Sequence, residues 1–267
     1  MRSQENVGES YTKKSHRIYP DCINAAIALN SAGKKIYKWL DYGNMMKALY
    51  AFFVIFIIVS FYLFIYERRN HHLLLITGCA RSGTCYIATV LTANGIDVGH
   101  QRIKSKGMSS WDLASNPKKG RWKRYNLKKY KFDHIFHQIR HPLKVISSVY
   151  FSEDRISWNY IMSQIPEIHF RDPHLVKCAK YWYYWNLKAE NLAEWSYRVE
   201  DLDQLWDVFS QKIGNRIDPN LAAHIPKEVN SIKKAIEKEF SWDDLEHNLD
   251  HELYGNIRAL AQKYRYL

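Results

Sequence analysis

The sequence predicts an α/β domain, a central parallel sheet with helices on both faces, preceded by one membrane-spanning helix. Three observations predict it. Two separate segments, one from Leu73 and one from His134, each run from an apolar strand through a short loop into a helix. A third stretch, Ala48 to Tyr66, is nineteen residues without a charge.

Residues 1–47 are polar and mixed, without a visible core, and read as a basic tail with a short helix from Asn24 to Leu40. Ala48 to Tyr66 follows and is long enough to cross a bilayer as a helix. Tyr50, Tyr62 and Tyr66 lie toward its ends, where an interfacial belt would have them. The alternative is a buried core helix. Arg2, Lys13, Lys14, Arg17, Lys34, Lys35, Lys38 and Lys47 precede the stretch, which favours a type II topology with the remaining chain in a lumen or periplasm. Arg68 and Arg69 follow it directly, and the chain has no Asn-x-Ser/Thr sequon; both weigh the other way. Residues 67–72 form a short linker, about 20 Å when extended.

Residues 73–267 are enough for one domain with its own core. Leu73 to Ile76 is wholly apolar, as in a strand covered on both faces. Gly78 and Gly83 bracket a tight turn, after which Ile87, Val90 and Leu91 recur at helical spacing up to Asn94-Gly95. Such a turn aims backbone N–H groups and a helix N-terminus at one spot, which favours a phosphate, and Arg81 adds a permanent charge there. The turn is not the nucleotide-triphosphate signature, because Arg-Ser-Gly-Thr stands where that pattern has Gly-Lys-Ser/Thr.

The second segment, His134 to Ser148, ends its strand at Arg140, places Pro142 in the first turn of a helix, and puts Ser148 eight residues after Arg140. The two segments offer two anion sites, each at the C-terminal end of a strand, where open α/β sheets bind ligands. Further strands are expected at Ile96 to Val98 and Ser196 to Val199, with helices dominating the C-terminal third.

On these residues the chain resembles the sulfotransferase superfamily. Ala80-Arg81-Ser82-Gly83-Thr84-Cys85 is similar to its 5′-phosphosulfate loop, and Arg140 with Ser148 is similar to its 3′-phosphate pair. Tyr197-Arg-Val-Glu-Asp-Leu202 is similar to its "R-x-E-D-L" segment, and Leu260 to Tyr266 to its last helix. The resemblance covers roughly residues 73–267 and looks closest to the membrane-associated and bacterial branches; no counterpart of the cytosolic branch's glycine-rich C-terminal loop is visible. It implies a three-layer fold in the manner of P-loop kinases and the donor 3′-phosphoadenosine 5′-phosphosulfate. It also implies transfer of a sulfuryl group to a hydroxyl or amine of a glycan or glycolipid, with no metal.

Two departures bear on activity. Thr84-Cys85 stands where the family usually has Thr-Thr, and cysteine is the weaker donor. Gln101 stands where several membrane-type relatives have a glutamate base, and glutamine takes no proton. His100 beside it can. Two readings of His100 stand: the base, or a histidine hydrogen-bonded at a strand end. Two other classes stand for the whole chain: a membrane-anchored scaffold that binds donor without transfer, and a nucleotide kinase, against which the missing loop lysine argues.

The net charge is +12. It suits an anionic donor, an anionic glycan or an acidic membrane. Lys118 to Lys131 concentrates it, as a solvated loop or an acceptor-binding edge; a nucleic-acid partner is not expected. Cys22, Cys79, Cys85 and Cys178 form no disulfide pattern, and Cys85 is read as a packed thiol more readily than a reactive one. Tyr181 to Asn186 opens an aromatic helix of core type, Trp111 lines either core or acceptor pocket, and Glu200 and Asp201 cap the helix that follows.

Overall fold

The computed structural model describes residues 42–114, 130–152, 155–227 and 238–267. The tail with its expected helix, Cys22, and most of the basic stretch from Lys118 lie outside them. The chain divides into two compact units, 1–66 and 67–267.

Helix α1 (Tyr42–Asn70) contains a stretch, Asn44–Glu67, long and apolar enough to cross a membrane. None of its most apolar window is buried, so it is not a core helix. Phe52, Phe56, Phe61 and Tyr62 are all more than 60 % exposed. The segment expected as a linker is divided between the end of α1 and the first two residues of β1 (His71–Thr77).

The second unit holds a five-stranded sheet in the order β2-β3-β1-β4-β5, with every pairing parallel. Its other strands are β2 (Val98–His100), β3 (Gly107–Ser109), β4 (Lys131–Ile139) and β5 (Trp195–Arg198). Leu74, Ile76 and Phe136 face a core shared with α2 (Thr84–Ala93) and, later in the chain, α6 (Leu202–Ile213). Ile139 joins the opposite core, built from α3 (Pro142–Tyr150), α4 (Arg155–Gln164), α5 (His174–Leu192), α8 (Trp242–Asn248) and α9 (His251–Lys263). The short α7 (Pro219–Ala223) packs beside α2. The domain is therefore helix, sheet, helix, which accounts for strands apolar on both faces.

Strand β3 is absent from the sequence expectations. It is three residues, Gly-Met-Ser, and its apolar content is a single methionine. Gly107 makes it possible: at φ 137°, a Cβ there would lie 1.8 Å from the Leu74 carbonyl oxygen. The expected strand at Ile96 to Val98 is instead Val98–His100, because Ile96 and Val98 serve the α2 core while the ladder to β3 begins at Val98. The aromatic run Tyr181 to Asn186 sits in the middle of α5, not at its start, and Tyr181, Trp182 and Trp185 are wholly buried.

After β1 the chain crosses toward β2 on one side of the sheet; after β4 it crosses toward β5 on the other. The loops after β1 and β4 thus flank the point where connections diverge, the place where open parallel sheets leave a crevice.

Candidate functional site

The loop between β1 and α2 is held by side chains from across the sheet. Gly78 has no room for a Cβ, which would meet the Gln138 carbonyl oxygen at 2.2 Å. Gly83 is left-handed at φ 89° and would press Val199 and Gln138 at 3.1 and 3.2 Å. The Ala80 N–H donates to the Tyr181 hydroxyl at 2.7 Å, and the Ser82 hydroxyl to the Cys79 carbonyl at 2.6 Å. The Gln138 amide donates to the Ser82 carbonyl at 2.6 Å and accepts from the Tyr197 hydroxyl at 2.8 Å. Among the described residues no side chain caps α2, so its N-terminus keeps the positive end of its dipole for what lies in front of it.

Arg81 sits in this loop with φ 71°, a left-handed conformation costly for a residue with a Cβ and common at ligand-binding turns. Its Nε donates to the Ser148 hydroxyl at 2.9 Å. The Arg140 Nη1 donates to the Arg81 carbonyl at 2.9 Å. The three residues expected at two anion sites are thus in direct contact. Burial, and then the Arg140 charge, press the Arg81 guanidinium below its ordinary pKa. Two guanidiniums in one half-buried crevice are the complement of a multiply charged anion.

His100 ends β2 with its Nε2 3.4 Å from the Thr84 hydroxyl. It is half-buried, and burial, followed by the Arg81 charge, holds its pKa below the ordinary imidazole value. It is therefore neutral at physiological pH and able to accept a proton. Gln101, next to it, is exposed and left-handed at φ 53°, its N–H bound to the Ser109 carbonyl at 3.0 Å. Cys85 is partly exposed and unbridged; Cys79 and Cys178 are buried, and burial pushes both thiols up.

Glu200 and Asp201 do not cap α6, whose start has no side-chain cap. Asp201 is taken by Arg198, at 2.6 and 2.7 Å. Glu200 accepts the His141 N–H at 3.0 Å and the Tyr266 hydroxyl at 2.7 Å, tying the C-terminal residues to the loop that carries Arg140. Trp111 packs among Tyr160, Tyr181 and Trp185, with centroids 5.3 to 6.4 Å apart, so it belongs to the aromatic core.

Gln138 is the positioning residue that sequence reasoning passed over, while Tyr181, Tyr197 and Glu200 were noticed in other roles. Gln138 carried a signal: with His137 it is a polar pair between Phe136 and Ile139 at the buried end of β4, and buried polar groups there need partners. No group of three His, Cys, Asp or Glu side chains among the described residues could hold a metal ion. A scan against protein-family models and a search of curated proteins find no match to this chain.

Proposed function

We propose that the chain is a membrane-anchored sulfotransferase of the P-loop-kinase-like type. In this reading it moves a sulfuryl group from 3′-phosphoadenosine 5′-phosphosulfate to a hydroxyl or amine of a carbohydrate or glycolipid. The observation that carries this is the contact of Arg81, Arg140 and Ser148 at the divergence of the sheet, beside an uncapped helix N-terminus. A donor with phosphate at both ends of its ribose needs two anion-binding loops within one molecule's reach, and the loops after β1 and β4 supply them. The crowding of two guanidiniums favours filling the crevice with negative charge.

In this reading the loop Ala80–Cys85 holds the 5′-phosphosulfate, and Arg140 with Ser148 holds the 3′-phosphate. The donor supplies an electrophilic sulfur and a phosphate leaving group. Arg81, the Thr84 hydroxyl and the α2 N-terminus stabilise charge on the leaving phosphate. His100, neutral and touching Thr84, takes the acceptor's proton. Helix α1 holds the chain to a bilayer, on which a glycolipid acceptor would also lie.

Incubating the full chain in detergent micelles with sulfur-labelled donor and a panel of glycans and glycolipids tests the reading. Label in an acceptor, lost on His100→Gln, is the expected result. Donor binding with no label in any acceptor would instead favour the scaffold reading, which Gln101 supports. Affinity for ATP that depends on Mg²⁺ would favour a kinase.

A further inference from the structure

A groove of about 650 Å³ is lined by α2 residues between Ala88 and Ala93, by His100 at the end of β2, and by Arg102 and Lys104. Most of its polar groups are already engaged. The Thr89 hydroxyl donates to the Cys85 carbonyl at 2.9 Å and the Thr92 hydroxyl to the Val98 carbonyl at 3.1 Å. The Lys104 ammonium is held by Asp97 at 2.8 Å, and with Ser105 it keeps that carboxylate ionised down to about pH 2. Arg102 differs. Among the described residues no carboxylate lies within ion-pair distance of it, and its permanent charge lines the groove. Gly99 brings it there, since the chain folds back so tightly that a Cβ on Gly99 would lie 2.1 Å from the Arg102 carbonyl oxygen.

A further polar group stands beside His100, although it is not part of the groove's lining. Ser109 is wholly buried, and its hydroxyl has no hydrogen-bond partner among the described residues. It pairs in register with His100 on the neighbouring strand, so the two side chains share a face of the sheet.

We infer that this groove holds the acceptor, and that the acceptor carries an anionic group, a carboxylate or a phosphate or sulfate ester, spaced to reach Arg102 while its hydroxyl lies at His100. The inference rests on the sulfotransferase reading for the reaction but not for the anion site. In the step itself the acceptor oxygen forms a bond to sulfur. The sulfur–oxygen bond to the 5′-phosphate breaks, the electron pair leaves with adenosine 3′,5′-bisphosphate, and the acceptor proton passes to His100.

The test uses the full chain in micelles with adenosine 3′,5′-bisphosphate present. Binding of a glucuronate-terminated disaccharide is compared with its neutral glucose-terminated counterpart, and with the glucuronate disaccharide carried on a lipid in the same micelles. At least tenfold tighter binding of the glucuronate form is expected. The preference falls to less than twofold in Arg102→Ala and is partly kept in Arg102→Lys, with bisphosphate affinity unchanged in both. Equal binding of charged and neutral forms by the wild type, or a preference that survives Arg102→Ala, overturns the inference. A glucuronate preference that depends on Arg102, together with no bisphosphate binding, sustains the anion site and sinks the sulfotransferase reading. Tighter binding of the lipid-carried form identifies a lipid headgroup as the source of the charge; equal binding identifies a free glycan.

Discussion

The Arg140 guanidinium holds Arg81 by its main chain, donating to the Arg81 carbonyl at 2.9 Å across 59 residues of sequence. The loop after β1 is therefore shaped by the loop after β4, and a change in one reaches the other.

Arg140→Lys keeps the charge but loses the fork that holds the Arg81 carbonyl and that, in the proposed function, would also grip a phosphate. Affinity for adenosine 3′,5′-bisphosphate should fall about tenfold, roughly 1.4 kcal/mol. Calorimetric titration of the two proteins checks it; equal affinities would show that Arg140 acts only as a point charge.

Gln138→Leu leaves the Ser82 carbonyl and the buried Tyr197 hydroxyl without partners. The expected loss is about 1–3 kcal/mol of stability for each of the two orphaned polar groups, the cost of its desolvation. Thermal unfolding measures it. Tyr197→Phe combined with Gln138→Leu should recover part of the loss, since the orphaned hydroxyl is then gone.

Glu200→Ala frees the His141 N–H and the Tyr266 hydroxyl together. Bisphosphate affinity should drop severalfold, while ADP binding changes little, because the loop disturbed is the one bearing Arg140. Parallel titrations with both nucleotides decide this, and an equal drop for both would mean a general loss of fold.

His137 is buried between β5 and α5, with Nε2–H donating to Asn186 at 3.0 Å and Nδ1 accepting from Ser196 at 3.2 Å. Burial, only partly opposed by Asn186, lowers its pKa from 6.5 to about 4. The folded state thus binds fewer protons than the unfolded state between those values. Its contribution to stability is complete above pH 6.5 and is lost as pH falls toward 4, by about 3 kcal/mol at most. Denaturant melts at pH 7 and pH 5 should show the decline, and His137→Gln should flatten it.

In the proposed reaction His100 is a base only when neutral, and its pKa lies below the ordinary imidazole value. Activity should rise with pH through that lowered pKa and level off before an unperturbed histidine would allow. Burial is the larger cause and the Arg81 charge the second; a pH profile of kcat/KM in wild type and Arg81→Gln checks the second, since removing the guanidinium charge raises the pKa part of the way and moves the acid limb upward.

The sequence made β1, its loop and α2 legible because an apolar run, two turn glycines and a helical period agree locally. Arg140 and Pro142 were legible for the same reason. The contact among Arg81, Arg140 and Ser148 was not, because nothing local says which strands are neighbours; β1 and β4 pair across a stretch that includes two further strands. Strand β3 escaped because its warrant is the Leu74 carbonyl pressed against Gly107 and not its own composition. Glu200 was misread as a cap because its position before α6 suits one, whereas in the fold the His141 N–H and Tyr266 hydroxyl claim it. Helix α1 was plain, since length and lack of charge suffice.

The most direct test is calorimetric binding of adenosine 3′,5′-bisphosphate to the full chain in micelles, with ADP as comparison and Arg140→Ala beside wild type. The account predicts tight binding that requires the 3′-phosphate and falls at least tenfold in Arg140→Ala. Equal binding of ADP, or no binding of either, would contradict it.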